Sequence, residues 1–291
     1  MSKQKIIPHL WFDKEAVEAA EFYTSVFDNS KITHKSRIYD TPSGDCDIVG
    51  FTILDYDFMA ISAGPLFKFN PSISFTISCD SVEEVNELWE KLTLGGKILM
   101  EVSEYPFSPR YGWIQDKYGV SWQIILFEKG KPEEKIIPHI MFVEDVCGKA
   151  EEAMNFYVSV FPDSKIGDIS RYKNQSPDKD GTVAHSFFTL RWQLFGAMDS
   201  AHEHKFKFNE AISFIVNCKD QEEIDYYWEK LSAVPEAEQC GWIKDKFGVS
   251  WQIIPENMGE LMSKNPDKTT PVMLKMKKII IEDLEKEGEE K

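Results

Sequence analysis

The 291-residue chain predicts an α+β protein of two tandem domains, each assembled from two βαβββ modules. Three observations predict it. Long stretches recur: "KIIPHLWFDKEAVEAAEFYTSVFDNSKI" (Lys5–Ile32) returns as "KIIPHIMFVEDVCGKAEEAMNFYVSVFPDSKI" (Lys135–Ile166), and "FKFNPSISFTISCDSVEEVNELWEKL" (Phe67–Leu92) returns as "FKFNEAISFIVNCKDQEEIDYYWEKL" (Phe206–Leu231). The phrase "GWIQDKYGVSWQII" (Gly112–Ile125) returns as "GWIKDKFGVSWQII" (Gly241–Ile254), differing only at Gln115, which becomes Lys244, and Tyr118, which becomes Phe247. Within each copy, strand-like and helix-like apolar periods follow one another in the same order. Two copies are too few for a solenoid, so the chain reads as a tandem pair.

Each repeat opens on a strand, "IIPHLWF", whose early proline suits the first residues of a strand. The helix after it sets Ala16, Ala19, Phe22, Tyr23, Val26 and Phe27 at spacings of three and four. "CDIVGFTIL" and "DFMAIS" are short strands separated by a turn. "SISFTISC" alternates Ser72, Ser74, Thr76 and Ser78 with Ile73, Phe75, Ile77 and Cys79, the period of a strand with one small polar face. A capping box, Ser81 with Glu84, starts the next helix, and Asp220 with Glu223 repeats it. Val85, Leu88, Trp89 and Leu92 form that helix's stripe, matched by Ile224, Tyr227, Trp228 and Leu231. "DKYG" is turn chemistry and "VSWQII" the last strand. Before that phrase the copies differ in length, "TLGGKILMEVSEYPFSPRY" against "SAVPEAEQC".

The boundaries that follow are 1–128 and 135–255 for the domains, 129–134 for a charged linker and 256–291 for a C-terminal extension. In the extension Val272, Met276, Ile279, Ile280 and Leu284 stand near helical spacing, which predicts a helix packed on one domain or across the pair.

Composition narrows the function. Hydrophobic residues make up 42% and aromatic residues 13%, a globular balance. A net charge of −16 disfavours nucleic acid and anionic membrane surfaces, both of which call for a basic face. No apolar run approaches a membrane span, and "MSKQKIIPHLWF" lacks the long apolar stretch of a signal peptide. Five cysteines without a C-x-x-C pair fit neither a disulfide framework nor a zinc knuckle, so a reducing cytoplasm is expected.

"IIPHLWF…AAEFYTSVF", "FKFN.AISF", "CGWIKDKFGVSWQII" and "VMLKMKKIIIEDLEKE" resemble the PhnB-like family, also described as demethylubiquinone methyltransferase-like. This family belongs to the vicinal-oxygen-chelate superfamily of glyoxalases, bleomycin-resistance proteins and extradiol dioxygenases. The resemblance covers nearly the whole chain. It implies that two modules build a curved mixed sheet around a cleft with helices outside. Each repeat would then be one such domain, and the fused pair a monomeric counterpart of a homodimer, itself monomeric or paired again. The resemblance also implies ligand positions for a metal. They fall on His9 and His139 in the first strands, on Ser72 and Ala211 in the fifth, and on Gln123 and Gln252 in the last, where a glutamate is usual.

A divalent transition metal needs several imidazole, carboxylate or thiolate donors, and a neutral amide is a poor one. His9 and His139 are therefore the only metal candidates retained, and no cofactor is expected. Alternation puts Gln123 inward opposite Trp122, and puts His9 on one face with Ile7 and Trp11. With Ser72, Ser74 and Thr76 these make a neutral, aromatic-walled pocket suited to a small molecule. His139, Met141, Ser213, Ile215 and Gln252 make a more apolar one. In the alternative, these residues fill a closed cleft. Arg110 offers a cation for an anionic group or a surface stacking partner, His185 either enters the second cleft or lies half exposed, and His202 with His204 reads as a solvated loop. Cys79 and Cys218 read as buried small hydrophobes; Cys240 has no base in view.

Three functions compete. No glycine-rich loop joins a strand to a helix as S-adenosylmethionine binding would need, and "LGGK" follows a helix, so methyl transfer is set aside. A metal-dependent lyase, isomerase or dioxygenase lacks most of its ligands. A metal-free cleft for a small, partly aromatic molecule is the reading chosen; whether that cleft also catalyses is left open.

Overall fold

Strand alternation and helix caps fix the elements of the chain, and the computed structural model describes residues 4–128 and 130–289 of it. The first module is β1 (Ile6–Phe12), α1 (Ala16–Val26), β2 (Lys31–Thr41), β3 (Gly44–Ile53) and β4 (Tyr56–Ser62). The second is β5 (Ile73–Cys79), α2 (Val82–Thr93), β6 (Lys97–Tyr105), β7 (Ser108–Gln115) and β8 (Ser121–Leu126). The third is β9 (Ile136–Phe142), α3 (Ala150–Val160), β10 (Lys165–Arg171), β11 (Val183–Leu190) and β12 (Gln193–Asp199). The fourth, β13 (Ile212–Cys218), α4 (Gln221–Leu231), β14 (Trp242–Lys244) and β15 (Ser250–Pro255), has one strand fewer. Four full βαβββ modules were expected; the short link after α4 holds only a single 3-10 turn, Pro235–Ala237. Both capping boxes form: Ser81 Oγ accepts from Glu84 N at 3.1 Å and Asp220 Oδ1 from Glu223 N at 2.9 Å.

The fold class is the expected one, but the modules combine across the repeats. One sheet runs β14-β15-β13-β1-β4-β3-β2, the other β10-β11-β12-β9-β5-β8-β7-β6. The first module therefore shares a sheet with the fourth, and the second with the third. β1 pairs antiparallel with β13, placing His9 opposite Ser213, and β5 pairs with β9, placing Ser74 opposite His139. The expectation that each repeat wraps its own cleft is corrected. Residues 63–72 carry the chain from one sheet to the other, so the two modules of one repeat meet through their helix-bearing faces. Phe58 on β4 meets Phe75 on β5 in this way, with ring centroids 5.0 Å apart.

A buried carboxylate pins each such meeting. Asp116, in the turn before β8, accepts from Tyr23 of α1 at 2.7 Å, from the Trp122 indole at 2.8 Å, and from the amides of Tyr118 and Val120. Asp245 repeats the set with Tyr157 of α3, the Trp251 indole, and the Phe247 and Val249 amides. Four donors per carboxylate satisfy a group that burial would otherwise penalise heavily. The "DK-aromatic-GVSW" phrase recurs because this pin recurs. Burial pushes the Asp116 carboxyl up to about 6, against the pull of its donors.

"FKFN" recurs for a different reason. Asn70 Nδ2 donates to Lys207 O at 3.0 Å and Asn209 Nδ2 to Lys68 O at 2.9 Å, a reciprocal crossing between the repeats. Each asparagine also accepts from the amide two residues on, Ser72 or Ala211.

The described residues of the extension form three helices, α5 (Met258–Lys264), α6 (Pro266–Lys275) and α7 (Ile281–Glu289), rather than one. Residues 276–280 leave the helix because carbonyls there are engaged elsewhere: Met276 O accepts from Cys240 N and Lys277 O from Gly241 N. No helix among the described residues is long and apolar enough to cross a membrane.

Candidate functional site

On each sheet one face carries the helices of the βαβββ modules, α1 to α4, and the polar residues collect on the opposite face, helix-free in the sense that none of these four helices covers it. On the eight-stranded sheet Trp122 is fully buried beneath α1, so its neighbour Gln123 turns the opposite way. Gln123 Nε2 donates to Ser74 Oγ at 2.8 Å, and its Oε1 accepts from the Tyr111 hydroxyl at 2.8 Å. This chain fixes the amide orientation. Ser74 faces His139, whose ring lies 5.3 Å from that of His185, and His185 meets Phe187 edge-on at 4.6 Å. Phe187 approaches Phe127 at 6.1 Å, and Trp113 lies opposite Gln123 with its indole on Ser121 Oγ. His185, Phe187, Phe127, Met198 and Trp113 are half-buried, so aromatic edges reach solvent above a buried polar floor.

His139 is 3% exposed, and its Nε2 has no hydrogen-bond partner. Burial pulls this imidazole down to about 3, assisted by His185, so it is neutral at physiological pH. Its place depends on Gly196 of β12: a Cβ there would stand 2.4 Å from His139 Nδ1. Thr76 Oγ1 and Ser78 Oγ, on the same face of β5, are also buried and unpartnered.

The seven-stranded sheet gives the pseudo-equivalent site with different walls. Gln252 Nε2 donates to Ser213 Oγ at 3.0 Å, and Ser213 faces His9. Cys240 occupies the position of Tyr111, so the amide oxygen has no phenol donor. Trp242 closes on His9 edge-on at 5.5 Å and on Trp11 at 6.0 Å. His9 is 4% exposed, its Nδ1 is unpartnered, and burial pulls it down to about 3.

Residues 4–125 and 134–254 match the family described as 3-demethylubiquinone-9 3-methyltransferase, once per repeat. The chain belongs to this PhnB-like family. It is 41% identical to the PhnB protein of Bacillus cereus over 42% of its own length and 99% of that chain (TM-score 0.39). Glyoxalase I of Zea mays aligns over 88% of this chain and 96% of its own at 12% identity and a TM-score of 0.56, which shows the shared fold. FosX of Listeria monocytogenes aligns over 44% and 96% at 18% identity (TM-score 0.35). The PhnB-like chain thus shares its two-sheet fold with glyoxalase I. No curated protein sequence matches the chain.

The PhnB-like clefts draw residues from both repeats, so the expected groupings change. His139 joins Ser74 and Gln123 of the first repeat, and His9 joins Ser213 and Gln252 of the second. Ser72 and Ala211 stand at the strand entrances, where their carbonyls accept from Met141 N and Trp11 N. Trp11 donates its indole to Gly64 O. Arg110 turns to the helix side, where Nε and Nη2 both bond Asn86 Oδ1 of α2, and so it does not enter the cleft. His204 bonds Ser200 Oγ at 2.8 Å, and His202 lies 3.6 Å from Asp178, away from both clefts. Cys79 and Cys218 are buried, their thiols pushed up to about 12.

For a metal, the donor set fits poorly. One cleft offers two imidazoles beside a serine and an amide, the other a single imidazole. Neither adds a carboxylate or thiolate, and the described residues contain no group of three or more His, Cys, Asp or Glu placed to hold an ion. Tyr111, Trp113, Phe187 and Gly196 were not singled out from the sequence. Alternation along β7 and β11 would have exposed the first three, whereas Gly196 had no sequence signal.

Proposed function

We propose that the chain binds a small, uncharged, partly aromatic molecule in the cleft of the eight-stranded sheet, without a transition metal. The observation that carries this is the buried, unpartnered Nε2 of His139 beside a fixed Tyr111–Gln123–Ser74 hydrogen-bond chain. A neutral imidazole nitrogen out of water costs about 1–3 kcal/mol unless a partner meets it. Aromatic edges at the mouth and neutral polar groups at the floor are the usual composition of a small-molecule site. The absence of any charged side chain on this floor favours a neutral ligand over an anion.

Methyl transfer, which the family's description names, is not part of this reading, because no glycine-rich strand-to-helix loop stands ready for S-adenosylmethionine. We take residues 1–128 and 135–255 as the two domains in the sense of folding cores, supported by the Asp116 and Asp245 pins within each repeat. Acidic composition supports a partner that is neither nucleic acid nor membrane, and five cysteines without a C-x-x-C pair support a cytoplasmic setting.

The proximity of His139 and His185 favours one competing reading, a metal-dependent lyase, isomerase or dioxygenase. Elemental analysis of untagged protein after incubation with Zn, Mn, Ni and Fe(II) separates the two. Background metal, together with a thermal shift from neutral aromatic compounds that His139→Ala abolishes, supports the proposal. Near-stoichiometric metal that disappears in His139→Ala overturns it.

A further inference from the structure

The C-terminal extension follows the second stretch matched to the family, residues 134–254, and three sets of contacts fasten it to the seven-stranded sheet. The first lies along an edge. Cys240 N donates to Met276 O at 2.8 Å, Gly241 N to Lys277 O at 2.7 Å, and Gln239 Nε2 to Leu274 O at 2.7 Å. In the first repeat the corresponding residue, Tyr111, pairs with Ser103 of β6. The second repeat lacks that strand, and residues 276–277 stand at the edge it would cover.

The second set is on the helix-free face. Ile254, on the same face of β15 as Gln252, packs against the extension's own core of Leu261, Met273, Ile279 and Leu284. The third is at the far end: α6 also touches β2, the opposite edge strand of the same sheet. Gln221 at the start of α4 holds the segment between α6 and α7 from both sides, donating to Ile279 O at 3.1 Å and accepting from Ile281 N at 2.9 Å.

We propose that the extension is a strap across the helix-free face of the seven-stranded sheet. It replaces the missing edge strand and controls access to the cleft of His9, Ser213, Trp242 and Gln252. The eight-stranded sheet has no such strap among the described residues, so the intact chain offers one ready cleft and keeps the other covered. An edge contact of two backbone bonds and a small apolar cluster is the kind of docking that opens locally without global unfolding.

Hydrogen exchange on the full chain tests this, comparing wild type with Gln221→Ala and with Ile279→Asp. At least tenfold faster exchange at Gln239–Trp242 in either variant, with β5 and β13 still protected, is expected. Titration with 2-naphthol should then rise from one site per chain in wild type to two in the variant. Unchanged exchange at Gln239–Trp242 in both variants overturns the strap, as does a count of two sites in wild type. The stoichiometry rests on the small-molecule reading above, but the exchange does not. Faster exchange with no 2-naphthol bound to any of the three proteins supports the strap and tells against that reading alone.

Discussion

The Tyr157 hydroxyl donates to the Asp245 carboxylate at 2.8 Å across the seam between the two sheets. Tyr157 stands on α3, packed on the eight-stranded sheet, and Asp245 precedes the last strand of the seven-stranded one. Asp245→Ala would strand four buried donors, so a loss of about 3 kcal/mol or more is expected in urea unfolding. Tyr157→Phe should cost about 1–2 kcal/mol, and the pair should couple in a double-mutant cycle. Additive effects would show that the pin carries no energy of its own.

His139 predicts a pH dependence. Its folded-state value of about 3 lies below the ordinary 6.5, so between these the unfolded chain takes a proton that the folded chain refuses. The stability it contributes is complete above 6.5 and is lost as pH falls toward 3, at up to about 1.4 kcal/mol per pH unit. The raised Asp116 acts in the opposite sense between about 4 and 6 but is shared by wild type and variant. Urea melts from pH 4.5 to 7.5 should therefore show wild type losing ground to His139→Asn on acidification. A constant difference would mean that this imidazole is solvated.

Gly196→Ala tests the close approach beneath the same ring. The new methyl would meet His139 Nδ1 at 2.4 Å, so the imidazole must turn off β12. A destabilisation of about 1–3 kcal/mol is expected from overpacking, with loss of any cleft ligand's thermal shift. Retention of both would place the imidazole's working position elsewhere.

Gln123→Glu puts a carboxylate beside Ser74, which stands opposite His139. If the amide is what denies the cleft a metal, the variant should retain Zn or Ni well above the wild-type level by elemental analysis. Equal metal content in the two proteins would locate the obstacle elsewhere in the cleft.

Much of the candidate site was legible because strand alternation assigns faces locally. Trp122 inward to the core and Gln123 outward to the cleft follow from the period of two alone. The same rule set His9 on one face with Ile7 and Trp11, and the family resemblance turned His9 and His139 toward the cleft. Arg110 was misjudged because its loop is strand β7, and alternation there sends Tyr111 and Trp113 to the cleft and Arg110 to Asn86. The recurring aspartate was read as turn chemistry, since nothing local says that its carboxylate reaches a tyrosine on a distant helix.

By itself the sequence determined the repeat, most of the order of strands and helices, the two capping boxes and the face of most strand side chains. These depend on residues a few positions apart. The tertiary structure alone decided which module shares a sheet with which, and hence that His139 stands opposite Ser74, which Gln123 of the same other repeat bonds. β1 can meet β5 or β13 with nearly the same backbone bonds, because a strand edge carries no address. The choice falls to packing summed over the whole molecule: the aspartate pins, the crossed Asn70 and Asn209 bonds, and the extension that finishes the shorter sheet.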